Sequence, residues 1–177
     1  MNIFYISDNP VQAAEWMVDR HVVKMILESA QLLSTAHRVL DGLSMVDTSG
    51  RRKKTIYVIP DMFRDINLYS ATHVNHPSAI WARESISNYL WLHRHAIALL
   101  DEYTYRYKKV HKCDGLIRSI LSNPPDLLKK TEFTQMPSCM APEYIISDDP
   151  IENYRNYYRE GKKHIHSWKN RAPPYWI

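Results

Sequence analysis

Residues 9–40, NPVQAAEWMVDRHVVKMILESAQLLSTAHRVL, decide what fold this chain can adopt. Asn9 can cap a helix, and Pro10 suits its first turn, where a missing N–H costs nothing. No Gly and no further Pro follows until Gly42, so the spacing predicts one long helix. At helical spacing Val22, Val23, Met25, Ile26, Ala30, Leu32, Leu33, Ala36 and Leu40 spread over roughly 180° of the circumference, wider than a surface helix needs. His21, Lys24, Glu28, Gln31, Thr35 and Arg38 gather in the remaining stripe. Two readings fit it. One is a cleft wall that carries ionisable groups; the other is a solvated side on which Lys24 and Glu28 form an ordinary i,i+4 pair.

Composition bounds the rest. A chain of 177 residues is one domain of ordinary size, and 45% hydrophobic with 24% charged residues is the make-up of a soluble globular protein. The start MNIFYISDNP has neither the basic opening nor the long apolar run of a signal peptide, and no stretch reaches the length of a membrane span. Two cysteines, Cys113 and Cys139, are too few for a disulfide framework and fit a reducing cytoplasm. No CxxC and no helical HxxxH with a following Glu is present, so neither a metal nor another cofactor is expected.

Charge is unevenly placed. Residues 151–177 hold six of the 23 Lys and Arg against two of the 19 acidic residues, so the net +4 belongs to that segment. A second basic run, Arg51, Arg52, Lys53 and Lys54, lies in an otherwise polar connection. Both can meet phosphates, although a lone run of this kind is commonly just a solvated loop.

Along the chain, Ile3-Phe4-Tyr5 reads as a short extended apolar lead that packs before the first helix. Residues 41–60 break the helical period, and Thr55–Ile59 has strand composition. With Ser44–Val46 it can form a hairpin that turns at Ser49-Gly50 and presents the basic run. Asn75-His76-Pro77 opens a second long helix, expected to run to about Val110, on which Trp81, Asn88, His95, Glu102 and Arg106 form another mixed line. A short helix is expected over Leu116–Leu121, and residues 131–148 form a long irregular segment. Asp149-Pro150 starts a last helix. There Tyr154, Tyr157, Tyr158 and Trp168 alternate with amides and with Lys162, Lys163 and Lys169. Rings among cations suit unstacked bases and phosphates; equally, the rings can anchor the helix while the cations face water. The expected fold class is all-α, a compact single domain of three main helices over residues 1–177. It allows a small β-hairpin insertion at 41–60 and a basic aromatic helix and tail at 149–177.

The block AAEWMVDRHVVKMILESAQLL, followed by VNHPSAIWARESISNYLWLHRHAIALLDEYTYRYKK, resembles the pyrimidine-dimer DNA glycosylase superfamily of the phage endonuclease V type. Asp19, Lys24, Glu28, His76, Pro77 and Trp81 carry the resemblance, as does His21, seven residues before Glu28. It covers residues 1–40 and 73–112, and the tail matches in character only. It implies a compact helical domain whose N-terminus and first long helix face double-stranded DNA. In the chemistry it implies, an amine attacks the sugar C1′ of a damaged nucleotide, a glutamate organises charge and protons, and β-elimination follows. DNA is bent and a nucleotide extruded.

The resemblance makes Glu28 the catalytic carboxylate, with Met1, Lys24 and His21 as the other candidates for the chemistry. Gln31, Arg51, Arg52, Lys53, Lys54, His76, Lys162, Lys163 and Lys169 are the candidates for nucleic-acid contact. The sequence departs from the family at three points. Asn2 replaces the small terminal Thr, and so bulky a residue leaves Met1 in place. Leu27 and Gln31 stand where arginines flank the family glutamate. Residues 41–60 and 131–150 have no counterpart. Between the two amines, a reference pKa of about 7.7–8.0 favours the Met1 α-amine over Lys24, at about 10.4. Two rivals stay open: a non-catalytic nucleic-acid or nucleotide-binding protein, and an enzyme acting on a free nucleotide.

Overall fold

The computed structural model describes residues 1–177, and in it the expected long helix is two helices. α1 spans Pro10–Trp16 and α2 spans Asp19–Asp41. Asn9 caps α1 as its residue type predicts, accepting from the N–H groups of Val11 and Gln12. Met17 and Val18 are extended and end the first helix with no Gly or Pro present. A residue far along the chain fixes the break. The Arg106 guanidinium, buried to 1% exposure, donates to the carbonyls of Glu15 (2.8 Å) and Met17 (2.9 Å) and to Asp19 Oδ1 (3.0 Å). Those carbonyls would otherwise be orphans of the helix end.

The second long helix is broken too. α4, Pro77–Ala82, is capped by His76, and α5, Ile86–Tyr107, starts afresh from Ser85, whose hydroxyl accepts the Asn88 N–H. The mixed line on it is neither a cleft wall nor a solvated face. Trp81, Asn88, His95, Glu102 and Arg106 are all buried and tie α5 to its neighbours. Asn88 bonds Trp81 O and Thr134, and His95 Nδ1 donates to Pro10 O.

Residues 41–60 do contain the hairpin: β1 (Leu43–Asp47) pairs antiparallel with β2 (Lys54–Val58), Leu43 opposite Val58 and Asp47 opposite Lys54. The turn spans residues 48–53 and is wider than a tight Ser49-Gly50 turn. α3, Met62–Asn67, has no sequence forecast. α6 covers Asp114–Arg118, followed by a 3-10 turn at Ile120–Ser122, and α7 covers Pro150–Gly161 with Asp149 capping it. Seven α-helices and three short 3-10 helices together make up 51% of the chain, so the fold is mostly helical with the small hairpin, not strictly all-α, and seven α-helices stand where three main ones are expected. No helix is long and apolar enough to cross a membrane.

The core gathers the inner faces of α2, α4 and α5 with Tyr154 and Tyr158 of α7. It also takes in the lead, where Ile3, Phe4, Tyr5 and Ile6 are buried. The lead is not a plain extended strand, because Phe4 has φ +58°, a region costly for a bulky residue.

Candidate functional site

The polar stripe of α2 is mostly covered, and what covers it changes along the helix. At its C-terminal end Arg38 is buried and reaches Asp65 and the carbonyls of Tyr57, Leu68 and Tyr69. One turn back, the Thr35 hydroxyl accepts the Thr72 N–H. At its N-terminal end His21 lies under Phe4, the rings stacked with centroids 4.1 Å apart. Between these covers lie Glu28 and half-buried Gln31, with exposed Lys24 one turn before.

The lead runs antiparallel over this stretch: Phe4 lies on His21 and Asn2 on Glu28. Glu28 Oε2 accepts the Asn2 N–H at 2.9 Å, and Oε1 pairs with Lys24 Nζ at 3.3 Å. Asn2 organises the turn with its side chain: Oδ1 accepts from the N–H groups of Ile3 and Phe4, and Nδ2 donates to Cys139 O. α7 and α5 clamp the same lead, since Arg155 donates to Ile6 O at 3.0 Å and Trp91 to Asp8 O at 2.6 Å. A strained residue held this firmly is typical of a segment whose position matters.

The N-terminal amine therefore lies one peptide unit from the atom on Glu28. Half-buried Met1 is also close enough to His76 for its charge to lower the imidazole pKa; burial is the larger cause, His73 adds to it, and Glu28 opposes it. Glu28 thus touches the Asn2 N–H and the Lys24 ammonium directly, with the His76 imidazole near enough to feel its charge. Lys162, at the end of α7, stands over Tyr157 (4.6 Å from the ring centre) and Phe4 (6.0 Å).

His21 does not join this group. It is 6% exposed, its Nδ1 is 2.6 Å from the Tyr158 hydroxyl, and burial, helped by the charges of Lys162 and Lys24, pushes its pKa down to about 3. A ring so enclosed cannot reach a substrate atom, so its place on the stripe serves packing. The basic run is also elsewhere. Arg51, Arg52 and Lys53 are exposed at the hairpin tip, beyond the Asp41 end of α2, and Lys54 pairs with Asp47 at 3.2 Å. Glu28 is thirteen residues from Asp41, about 20 Å along the helix. Lys163 is exposed after α7. Lys169 lies by Tyr107 at the start of α2, its N–H on the Asp19 carboxylate.

The sequence marks Asn2 and the irregular segment around Cys139 separately but not their contact, since irregular backbone leaves no periodic signal. The largest concavity, about 750 Å³, lies at the Asp41 end of α2 and not at Glu28. No cluster of three or more His, Cys, Asp or Glu side chains is placed to hold a metal ion. Compared with known protein families, curated proteins and solved structures, the chain matches none.

Proposed function

We propose that this chain is a DNA glycosylase with associated AP-lyase activity, acting on a damaged or modified base in double-stranded DNA. The observation that carries the reading is the 2.9 Å bond from the Asn2 N–H to Glu28, which brings the terminal amine within one residue of the one carboxylate on the stripe. The amine nitrogen forms a bond to the sugar C1′ as the glycosidic bond breaks and the base leaves with the electron pair. The nitrogen gives up a proton, and its lone pair forms the C=N bond as the C1′–O4′ ring bond opens and O4′ takes a proton. Removal of a C2′ proton then expels the 3′ phosphate and cuts the strand. Glu28 stabilises the positive sugar and relays protons, while Lys24 and Lys162 hold phosphates. Met1 is the preferred nucleophile. If Met1 is removed in the cell, Asn2 N becomes the amine and is already on Glu28.

Ultraviolet-irradiated and unirradiated plasmid, incubated with the protein and scored for nicking, test the reading. Borohydride present during turnover should trap a protein–DNA adduct that peptide mapping places at residue 1 or 2. An adduct on Lys24 moves the nucleophile, and base release without an adduct makes water the nucleophile. Neither nicking nor adduct on any damaged DNA leaves the non-catalytic binding protein as the better account.

A further inference from the structure

α3 is turned inside out. Its charged side chains face the protein: Arg64 pairs with Asp41 at 3.0 Å, and Asp65 takes Arg38 at 2.7 Å and the Ile59 N–H at 2.9 Å. Its apolar ones, Met62, Phe63 and Ile66, are 71%, 67% and 73% exposed. The hairpin that leads into it behaves alike. The register puts Leu43 beside Val58 and Met45 beside Ile56 on one face, and Leu43, Met45 and Val58 are exposed. A two-stranded hairpin is marginal in water until its apolar face is covered, and monomers seldom leave this much apolar surface open.

The two ends of this unit differ in charge. Arg51, Arg52 and Lys53 project from the tip. At the base, where Asp41 precedes β1 and Asp61 follows β2, lies the cleft of about 750 Å³, lined by Asp41, Asp61 and Asp126 against one cation, Arg64. The Asp41 side chain is buried and already takes Arg64 and the N–H groups of Asp126 and Leu127, which leaves Asp61 and Asp126 exposed at the rim. Exposed carboxylates suit a cation rich in donors, and a guanidinium has five N–H groups in a planar fork.

We propose that a second copy of this chain covers the hairpin and α3 in a two-fold dimer, the Arg51–Lys53 tip of each copy entering the acidic cleft of the other. A two-fold axis perpendicular to the hairpins, the orientation that lets opposite charges meet, sets the two antiparallel. Each tip stands about 17 Å from its own base, the length of a five-residue strand, and so arrives at the base of its partner. The apolar faces then cover one another between two charged contacts. The inference does not rest on the reaction proposed above, because these residues lie apart from Glu28.

Sedimentation equilibrium on the full chain tests it. The wild type should be dimeric at micromolar concentration and weaken in high salt. A tip reversal (Arg51→Glu with Arg52→Glu) and a cleft reversal (Asp126→Arg, at a side chain 79% exposed) should each raise the dimer Kd at least tenfold, with helix content by circular dichroism unchanged. Mixed together, the two variants should form a heterodimer, since each supplies what the other lost. Met62→Ser with Ile66→Ser should weaken the dimer without changing the heterodimer pairing. A monomeric wild type overturns the proposal, as does a dimer indifferent to both reversals, or failure of the two folded variants to pair. Tip-dependent binding of a monomer to duplex DNA or to anionic vesicles overturns it too and assigns the face to that partner.

Discussion

Acid should unfold this protein well above the range in which its carboxylates titrate. His21, His37 and His95 are 6%, 1% and 0% exposed. Burial is the first cause of low pKa in each, holding them at about 3, about 4 and about 4. Lys162 and Lys24 add to it at His21, Arg64 adds to it at His37, and the Pro10 carbonyl opposes it at His95. These pKa values lie below that of an unfolded histidine, about 6.5. As pH falls through 6.5 the unfolded chain therefore takes up protons that the folded one refuses, and stability drops until the folded rings titrate. Three such groups give a slope of about 4 kcal/mol per pH unit near pH 5 and a loss of about 5–6 kcal/mol between pH 7 and pH 5. That is comparable with the whole stability of an ordinary domain, about 5–15 kcal/mol. Urea unfolding at half-unit pH steps gives the slope, and the histidine ring signals in NMR should stay neutral down to the point of unfolding. A slope below about 1 kcal/mol per pH unit, or a His21 ring that titrates near 6.5 in the folded protein, refutes the reasoning. The latter would also return His21 to the candidates for proton transfer.

Glu28→Gln keeps shape and removes charge, so nicking should fall by orders of magnitude while the fold and DNA affinity survive; near-normal turnover would end the catalytic reading. The salt dependence of DNA binding should lose about 0.9 of slope for each phosphate contact removed at Lys24, Lys162 or Lys163, whereas neutralising Arg51–Lys53 should leave the slope unchanged and abolish the dimer. Arg106→Gln should cost about 1–3 kcal/mol by leaving the buried carbonyls of Glu15 and Met17 without their donor, while Asp19 keeps Ser167 and the Lys169 N–H and Glu102 keeps Arg171. It should also speed hydrogen exchange at the Asn2 amide. Normal protection there would separate the helix break from the site.

What was legible in the sequence is what nearby residues determine. Asn9 with Pro10, His76 with Pro77 and Asp149 with Pro150 each start a helix at the position their chemistry favours. The hairpin shows through its β-branched run. Breaks imposed from a distance were invisible: nothing in Trp16-Met17-Val18 ends a helix, and the cause is a guanidinium 89 residues away. The line Trp81–Arg106 reads only as mixed for a related reason. Polar residues at helical spacing look the same whether they face water or a buried partner, and only the location of Pro10 and Thr134 distinguishes the two. At the site, the stripe marked Glu28, but only the folded lead separates Glu28 from His21.

The break in the long helix is also what brings the terminus to Glu28. In an unbroken helix residues 9 and 28 would stand about 28 Å apart. Residues 2–9 can span at most about 25 Å when fully stretched. A continuous helix would therefore have let Asn2 meet the Glu28 carboxylate only with a nearly stretched lead, even with the side chain leaning back toward the helix N-terminus. The lead observed is far from stretched, since Phe4 takes a left-handed turn and Ile6 N–H folds back onto Phe4 O at 2.9 Å. That slack exists because α1 turns away at Met17, and it turns there because Arg106 holds its last carbonyls and Asp19. Asp19 answers in kind: burial alone would raise its carboxyl pKa, but hydrogen bonds from Ser167, the Lys169 N–H and Arg106 hold it below the usual value. The same residue thereby anchors the C-terminal tail to the break. The amine and the carboxylate, both at the N-terminal end of the chain, are thus brought together by side chains from its second half.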